Sequence, residues 1–389
     1  MGLSPQSPHI GALNKVGQSI WYDNLSRDLL RSGELKRYIE LGVSGLTSNP
    51  TIFQKAIGES ADYDDAIRNL VPHHLGSDSK SDSSSASTSA TIAEEICEDL
   101  FVEDVGAACD LLHSVYVNTS GADGYASLEV SPELAHDAEG TVAAAERLWK
   151  RLSRPNAMIK VPATPAGIIA IERLLAQGIN VNVTLIFSSS VYGQVMDAYL
   201  SALEQRVARG ESISGIASVA SFFVSRVDAA VEKDLSSRGR SDVLVEVLGK
   251  VGIANSRLAY HRFLETFHGD RWSALERLGA RVQRPLWAST GTKNPAFSKL
   301  LYVEALARNM TVNTVPPQTL DAILEGVQVA GLGGEGLEEA SRVMGMLSGA
   351  GVDFERILGE LQVAGVAAFS ESYAQLLGAI AAKIEKMKG

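Results

Sequence analysis

The lysine of NAMIKVPA, Lys160, sits in a short run with the length and composition of a strand. Alternation puts Met158, Lys160 and Pro162 on one face of that run and Ala157, Ile159 and Val161 on the other. Lysine is a poor strand former and is seldom fully buried without a reason. In water its amine titrates near about 10.4 and is protonated at neutral pH. Desolvation against apolar walls lowers that value, and the neutral amine is a nucleophile toward carbonyl carbon. Attack on a ketone gives a carbinolamine and then an imine. The protonated imine is an electron sink that permits cleavage of the adjacent carbon–carbon bond.

Other short runs carry polar side chains where a purely structural strand would be apolar. In YASLEVS, Ser127, Glu129 and Ser131 share a face; in NVNVTLIF, Asn182 and Thr184 do; in SGLTSN, Thr47 and Asn49 do. Asp23 follows Trp21 in the first run, and Ser221 and Ser289 close the sixth and seventh. Singly, each reads as a hydrogen-bonded core residue or a solvated strand end. Together they lie toward the C-terminal halves of their runs. Burying that many unsatisfied groups would cost about 1–3 kcal/mol each, and a shared polar cavity accounts for them better. In such a cavity Glu129, with a water held by Thr184, would move protons during imine formation. Asp23 would take the hydroxyl proton lost on cleavage, and Asn49 and Asn182 would bind the hydroxyls of a polyol. The chemistry calls for no metal and no cofactor. Arg226 after the sixth run, and the loop WASTGTKNP with Ser289, Gly291, Thr292 and Lys293 at a helix start, suit a phosphate.

These residues need a scaffold that brings many strand ends together. Eight β-like runs recur: SIWYDNL, SGLTSN, YASLEVS, AMIKVPA, NVNVTLIF, IASVASF, RPLWAST and TVNTVPP. Between them lie amphipathic stretches such as Gly140–Arg151, Pro165–Gln177, Ser189–Ala208 and Asn294–Ala307. The alternation predicts parallel βα units closing into a single (β/α)₈ TIM barrel over residues 1–389, with extra N- and C-terminal helices. A doubly wound open sheet is the runner-up on pattern alone. Residues 73–91 read as a Ser-rich surface insertion, with helical pattern resuming at Ile92, and 353–388 as a C-terminal helical extension packing on the barrel.

Composition narrows the partners. The chain has 389 residues, 45% hydrophobic and 21% charged, and a net charge of −11, which argues against nucleic acid or an anionic membrane. An anionic substrate must then be held by locally placed cations. No run approaches the eighteen apolar residues of a membrane span, and the N-terminus has no apolar signal region, so a cytoplasmic location is expected. Cys97 and Cys109 lie too far apart along one helical stretch to bridge and read as buried thiols. Gly331, Gly333 and Gly336 match a dinucleotide-binding spacing but follow a helical pattern, so they read as a loop between helices. The histidines, His73 and His74 among them, show no metal-ligand spacing.

With these residues in view, the chain resembles the transaldolase family. GLTSNPTIF at 45–53 is similar to its N-terminal signature, NAMIKVPATPAG with INVNVTLIFS to its active-lysine region, and WASTGTKNP to its seventh-strand loop. The resemblance implies a (β/α)₈ barrel that transfers a dihydroxyacetone unit between sugar phosphates in the non-oxidative pentose phosphate pathway, through a Schiff base on Lys160. It implies Asp23 and Glu129 as the catalytic acids and Thr184 as the holder of the water. It also implies Asn49 and Asn182 as substrate ligands, with Thr47 beside them, and Ser221 and Arg226 at the phosphate. Better-known members of the family carry an arginine two residues after the seventh-strand serine. Here that position is Gly291, and Lys293, two further on, stands in as the second phosphate cation. A fructose 6-phosphate aldolase, which releases dihydroxyacetone, is the rival within the class, and a non-catalytic phosphosugar-binding barrel the rival outside it. A homo-oligomer is compatible with the sequence.

Overall fold

The structure, a computed structural model, describes residues 6–75, 85–329 and 336–388. Its eight strands form one closed parallel barrel in sequence order. They are β1 (Gln18–Asp23), β2 (Gly45–Thr47), β3 (Tyr125–Glu129), β4 (Ala157–Pro162), β5 (Val181–Ile186), β6 (Ser218–Phe223), β7 (Arg284–Ala288) and β8 (Thr311–Val315). All eight coincide with the runs read from sequence, and closure excludes the open sheet.

The alternation works as a sorting device. Ile159, Val161, Val181 and Val183 face the surrounding helices and pack in the larger core. Trp21, Tyr125, Met158, Val219, Leu286 and Val312 turn inward and fill the barrel as a second buried cluster. Trp21 fits only because its neighbour in register is Gly45: a Cβ there would lie 2.4 Å from the indole. At the N-terminal end of the barrel the Trp21 indole N–H donates to Asp123 (2.9 Å), which is ion-paired to Arg284 (2.9 Å) and accepts from Ser19 (2.6 Å). Side chains therefore separate that end from the C-terminal mouth; the cavity of about 400 Å³ on their outer side, lined by Tyr125, Met158 and Arg284, includes none of the polar strand-end residues read from sequence.

The extra terminal helices are present. Pro8–Lys15 buries Ile10 and Leu13. The C-terminal helix, Phe354–Lys388, buries Phe369, Tyr373, Leu376, Ile380 and Ile384 at three- and four-residue spacing, one stripe laid along the barrel. Contrary to the expectation that no segment reaches a span's length and apolarity, this helix meets both criteria. Exposed alanines and the exposed Val363 raise its hydropathy, while most of its large apolar side chains face the core.

Two further expectations change. Within the Ser-rich insertion expected at 73–91, residues 76–84 lie outside the described residues, and both flanks are helical: Asp64–Leu75 and Ser85–Asn118. The run SASTSAT contains neither Gly nor Pro, so the helix seeded around Ile92 extends back through it. His73 and His74 thus belong to a helix, and His74 pairs with Glu95 and Asp99. Of the amphipathic stretch 294–307, only Leu301–Ala305 is helical, because Pro295 and the turn at Ser298 break its start. In the glycine motif, 331–335 lie outside the described residues, and Gly336 opens the helix Gly336–Gly349.

Candidate active site

Register explains how the polar residues meet. Glu129 on β3 pairs with Lys160 on β4, which pairs with Asn182 on β5; Asp23 on β1 pairs with Thr47 on β2. In a parallel barrel, paired residues share a level and a face, so all five point inward at the C-terminal mouth.

There they line or underlie a cavity of about 580 Å³. Its walls include Asp23, Thr47, Asn49, Lys160, Thr184, Ser221, Arg226, Ser289 and Lys293. Lys160 is only 5% exposed. Its Nζ lies 3.3 Å from Glu129 Oε2 and donates to the Ser48 carbonyl at 3.1 Å. Thr47 donates to Asp23 (2.7 Å) and shares a 2.5 Å contact with the Thr314 hydroxyl. Burial pushes the carboxyls of both Asp23 and Glu129 above their ordinary range, and the Lys160 charge pulls back on each without cancelling it. The Thr184 hydroxyl is fully buried with no protein partner, which suits a group reserved for a water or a substrate atom.

Two expected site residues are engaged elsewhere. Asn182 lies below the cavity, donating to Ser127 (3.0 Å) and accepting from Ser221 (2.7 Å). Asn49 uses its side-chain oxygen to cap the short helix Pro50–Phe53, accepting from the Ile52 amide at 3.0 Å, although the residue still lines the cavity. Arg226 has no salt-bridge partner among the described residues, and burial lowers its pKa against the opposing pull of Asp23. Ser289 holds the left-handed conformation (φ 54°) and shares a 2.9 Å contact with Ser225. Lys293 is exposed at the rim.

Sequence reasoning missed several residues of the site, two in the cavity wall and one behind it. Thr314 had a visible signal, a polar side chain on the inward face of TVNTV near its end. Ser48 contributes only its carbonyl and had none. Neither had Phe369, an apolar residue in an apolar stripe, whose ring centroid lies 5.8 Å from Lys160 Nζ. A larger cavity of about 710 Å³ lies beside β3 and reaches Asn49 and Glu129, but Arg147 and Arg151 there are already paired with Glu98. Among the described residues no group of side chains could hold a metal ion.

A closed (β/α)₈ barrel with a buried amine against a carboxylate and a second carboxyl at the same mouth is the anatomy of a Schiff-base enzyme acting on carbonyl compounds. Residues 20–380 match the family described as Transaldolase/Fructose-6-phosphate aldolase. A transaldolase of Mycobacterium marinum is 43% identical over 392 residues, covering 99% of this chain and all of the relative. One of Mycobacterium tuberculosis is 44% identical over 382 residues, covering 96% of this chain and 97% of the relative. The chain belongs to the transaldolase/fructose-6-phosphate aldolase family.

Proposed function

We propose that this enzyme is a transaldolase working through Lys160. It moves a dihydroxyacetone unit from sedoheptulose 7-phosphate to glyceraldehyde 3-phosphate, giving erythrose 4-phosphate and fructose 6-phosphate, in the non-oxidative pentose phosphate pathway. The observation that carries this reading is the Lys160 amine, buried in the barrel mouth 3.3 Å from Glu129.

The ammonium passes a proton to a neighbouring carboxylate, and the free amine adds to the donor's C2 carbonyl. Glu129, with a water at Thr184, supplies and removes the protons needed to expel the C2 oxygen as water. Asp23 takes the proton of the C4 hydroxyl. The C3–C4 bond breaks, its electrons enter the imine, and the aldose phosphate leaves. The remaining enamine attacks the acceptor aldehyde through C3, Asp23 returns the proton, and hydrolysis of the new imine restores the amine. Hydroxyl and amide groups of Thr47, Asn49 and Ser221 surround the polyol, Asn182 supports Ser221 from beneath, and Arg226, Ser289 and Lys293 face the phosphate. Two buried, unpaired cysteines are in keeping with work in the reducing cytoplasm.

Borohydride added with fructose 6-phosphate should fix a three-carbon adduct on the Lys160 peptide, read by mass spectrometry. Label at another lysine, or no label, sinks the reading. Steady turnover should also depend on an aldose phosphate acceptor, because the three-carbon unit otherwise stays on the enzyme.

A further inference from the structure

Phe369 comes from the C-terminal helix, outside the eight βα units, yet it is 4% exposed and forms part of the cavity wall. Its ring lies 5.8 Å from the Lys160 amine and 6.0 Å from the Arg226 guanidinium. It therefore covers both the reacting nitrogen and the cation that faces the substrate's anionic end.

Several features hold it there. Gln362 donates to the carbonyls of Ala163 (2.9 Å) and Leu185 (3.2 Å), at the ends of β4 and β5. Ser372 shares a 2.8 Å hydroxyl contact with Thr51 on the helix that Asn49 caps. One turn before Phe369, Gly365 lets the helix drop close: a Cβ there would lie 2.9 Å from Leu185 Cδ2 and 3.7 Å from the Arg226 guanidinium. Leu185 is itself left-handed (φ 56°) where the β5–β6 register slips, immediately after Thr184. A leucine holds that strained conformation only where its surroundings impose it. Here Leu185 packs in the same cluster as Phe369.

We infer that Phe369 is the specificity-determining roof of this site, keeping water from the three-carbon intermediate so that it is transferred rather than hydrolysed. The inference rests on the Schiff-base reading above. Hydrolysis would begin with protonation of the enamine at C3. Water would then add at C2, the C–N bond would break, and dihydroxyacetone would leave with the amine restored. An apolar ring beside the nitrogen keeps bulk water from delivering that proton to C3, leaving the single water at Thr184 for forming and hydrolysing the imines, whereas an aldose phosphate is drawn in by the cations at the rim. Phe369 acts by position and exchanges no proton.

The test is the ratio of dihydroxyacetone released to aldose product formed, with fructose 6-phosphate as donor. Phe369→Ala should raise that ratio about tenfold while borohydride still labels Lys160, and Phe369→Leu should restore most of the wild-type ratio. A merely structural role would slow release and transfer together and leave the ratio unchanged, and that result overturns the inference. Gly365→Ala supplies a second route should Phe369→Ala not fold. Alanine favours the helix, and the added methyl wedges it from Leu185, so the ratio should rise here too. An unmoved ratio in a folded, labelled Gly365→Ala protein also overturns the inference. Absence of label in the wild type would defeat the Schiff-base reading instead.

Discussion

At the scale of single residues, the site is expensive to maintain. Asp23 and Glu129 are carboxyls whose burial favours the neutral form, opposed at both by Lys160 and at Asp23 also by the Thr47 hydroxyl, Arg226 and Lys293. A carboxyl whose folded pKa lies above its unfolded value adds stability below the unfolded value and loses that contribution as pH rises through the folded one. Asp23→Asn keeps an acceptor for the Thr47 hydroxyl and removes the ionisation. Turnover should fall on the order of 10²- to 10⁴-fold. The variant should also unfold at higher denaturant than the wild type at pH 7, with the advantage shrinking as pH falls toward about 4. Denaturant midpoints measured across pH check the sign; a variant less stable at pH 7 would contradict it. Much of this constellation was legible beforehand, because a lysine or glutamate on the inward face of an apolar strand stands out by type. Phe369 and the Ser48 carbonyl were not, since neither an apolar side chain nor a backbone oxygen differs in type from its structural counterparts.

Among elements, strand register does the positioning. β1 carries Trp21 and Asp23 on one face, so the indole that fills the barrel also sets the height of the carboxyl above it. Gly45→Ala would drive a methyl into that indole. The expected cost is about 1–3 kcal/mol, seen as a lowered melting temperature with fructose 6-phosphate turnover reduced alongside. An unchanged melting temperature would show that Trp21 can move aside. The eight strands were readable because each is a short β-rich run bounded by turns. The left-handed Leu185 and Ser289 were not, because local propensity assigns neither residue to that region. Residues 294–307 misled for a related reason: their apolar spacing is helical, but the strand-end loop takes the first half of the segment.

The whole molecule carries a net charge of −11, yet four cations, Lys55, Lys160, Arg226 and Lys293, line its cavity. Capture of a phosphorylated substrate is therefore local and sensitive to screening. Raising ionic strength from about 0.05 to about 0.5 M shortens the Debye length severalfold and should raise KM for fructose 6-phosphate. The same change should leave KM for unphosphorylated fructose flat. Arg226→Ala should raise the phosphosugar KM about 10- to 100-fold and flatten its salt response, with Lys293→Ala doing less because that residue is exposed. The C-terminal helix contributes its stripe to the barrel's own core and is tied at Lys383 to Asp64 and to the Ser60 carbonyl (2.7 Å). One cooperative unit is therefore expected, with far-ultraviolet dichroism and tryptophan fluorescence reporting the same midpoint. An earlier dichroism step would mark the helix as a separate unit.

The side chains of Asp123, Arg284, Ser19 and Trp21 stopper the floor of the barrel. Traffic through that floor is blocked, and newcomers share the upper opening with those departing. A shortened sugar still sitting there bars the next one, so the order of events is imposed by plumbing as much as by chemistry.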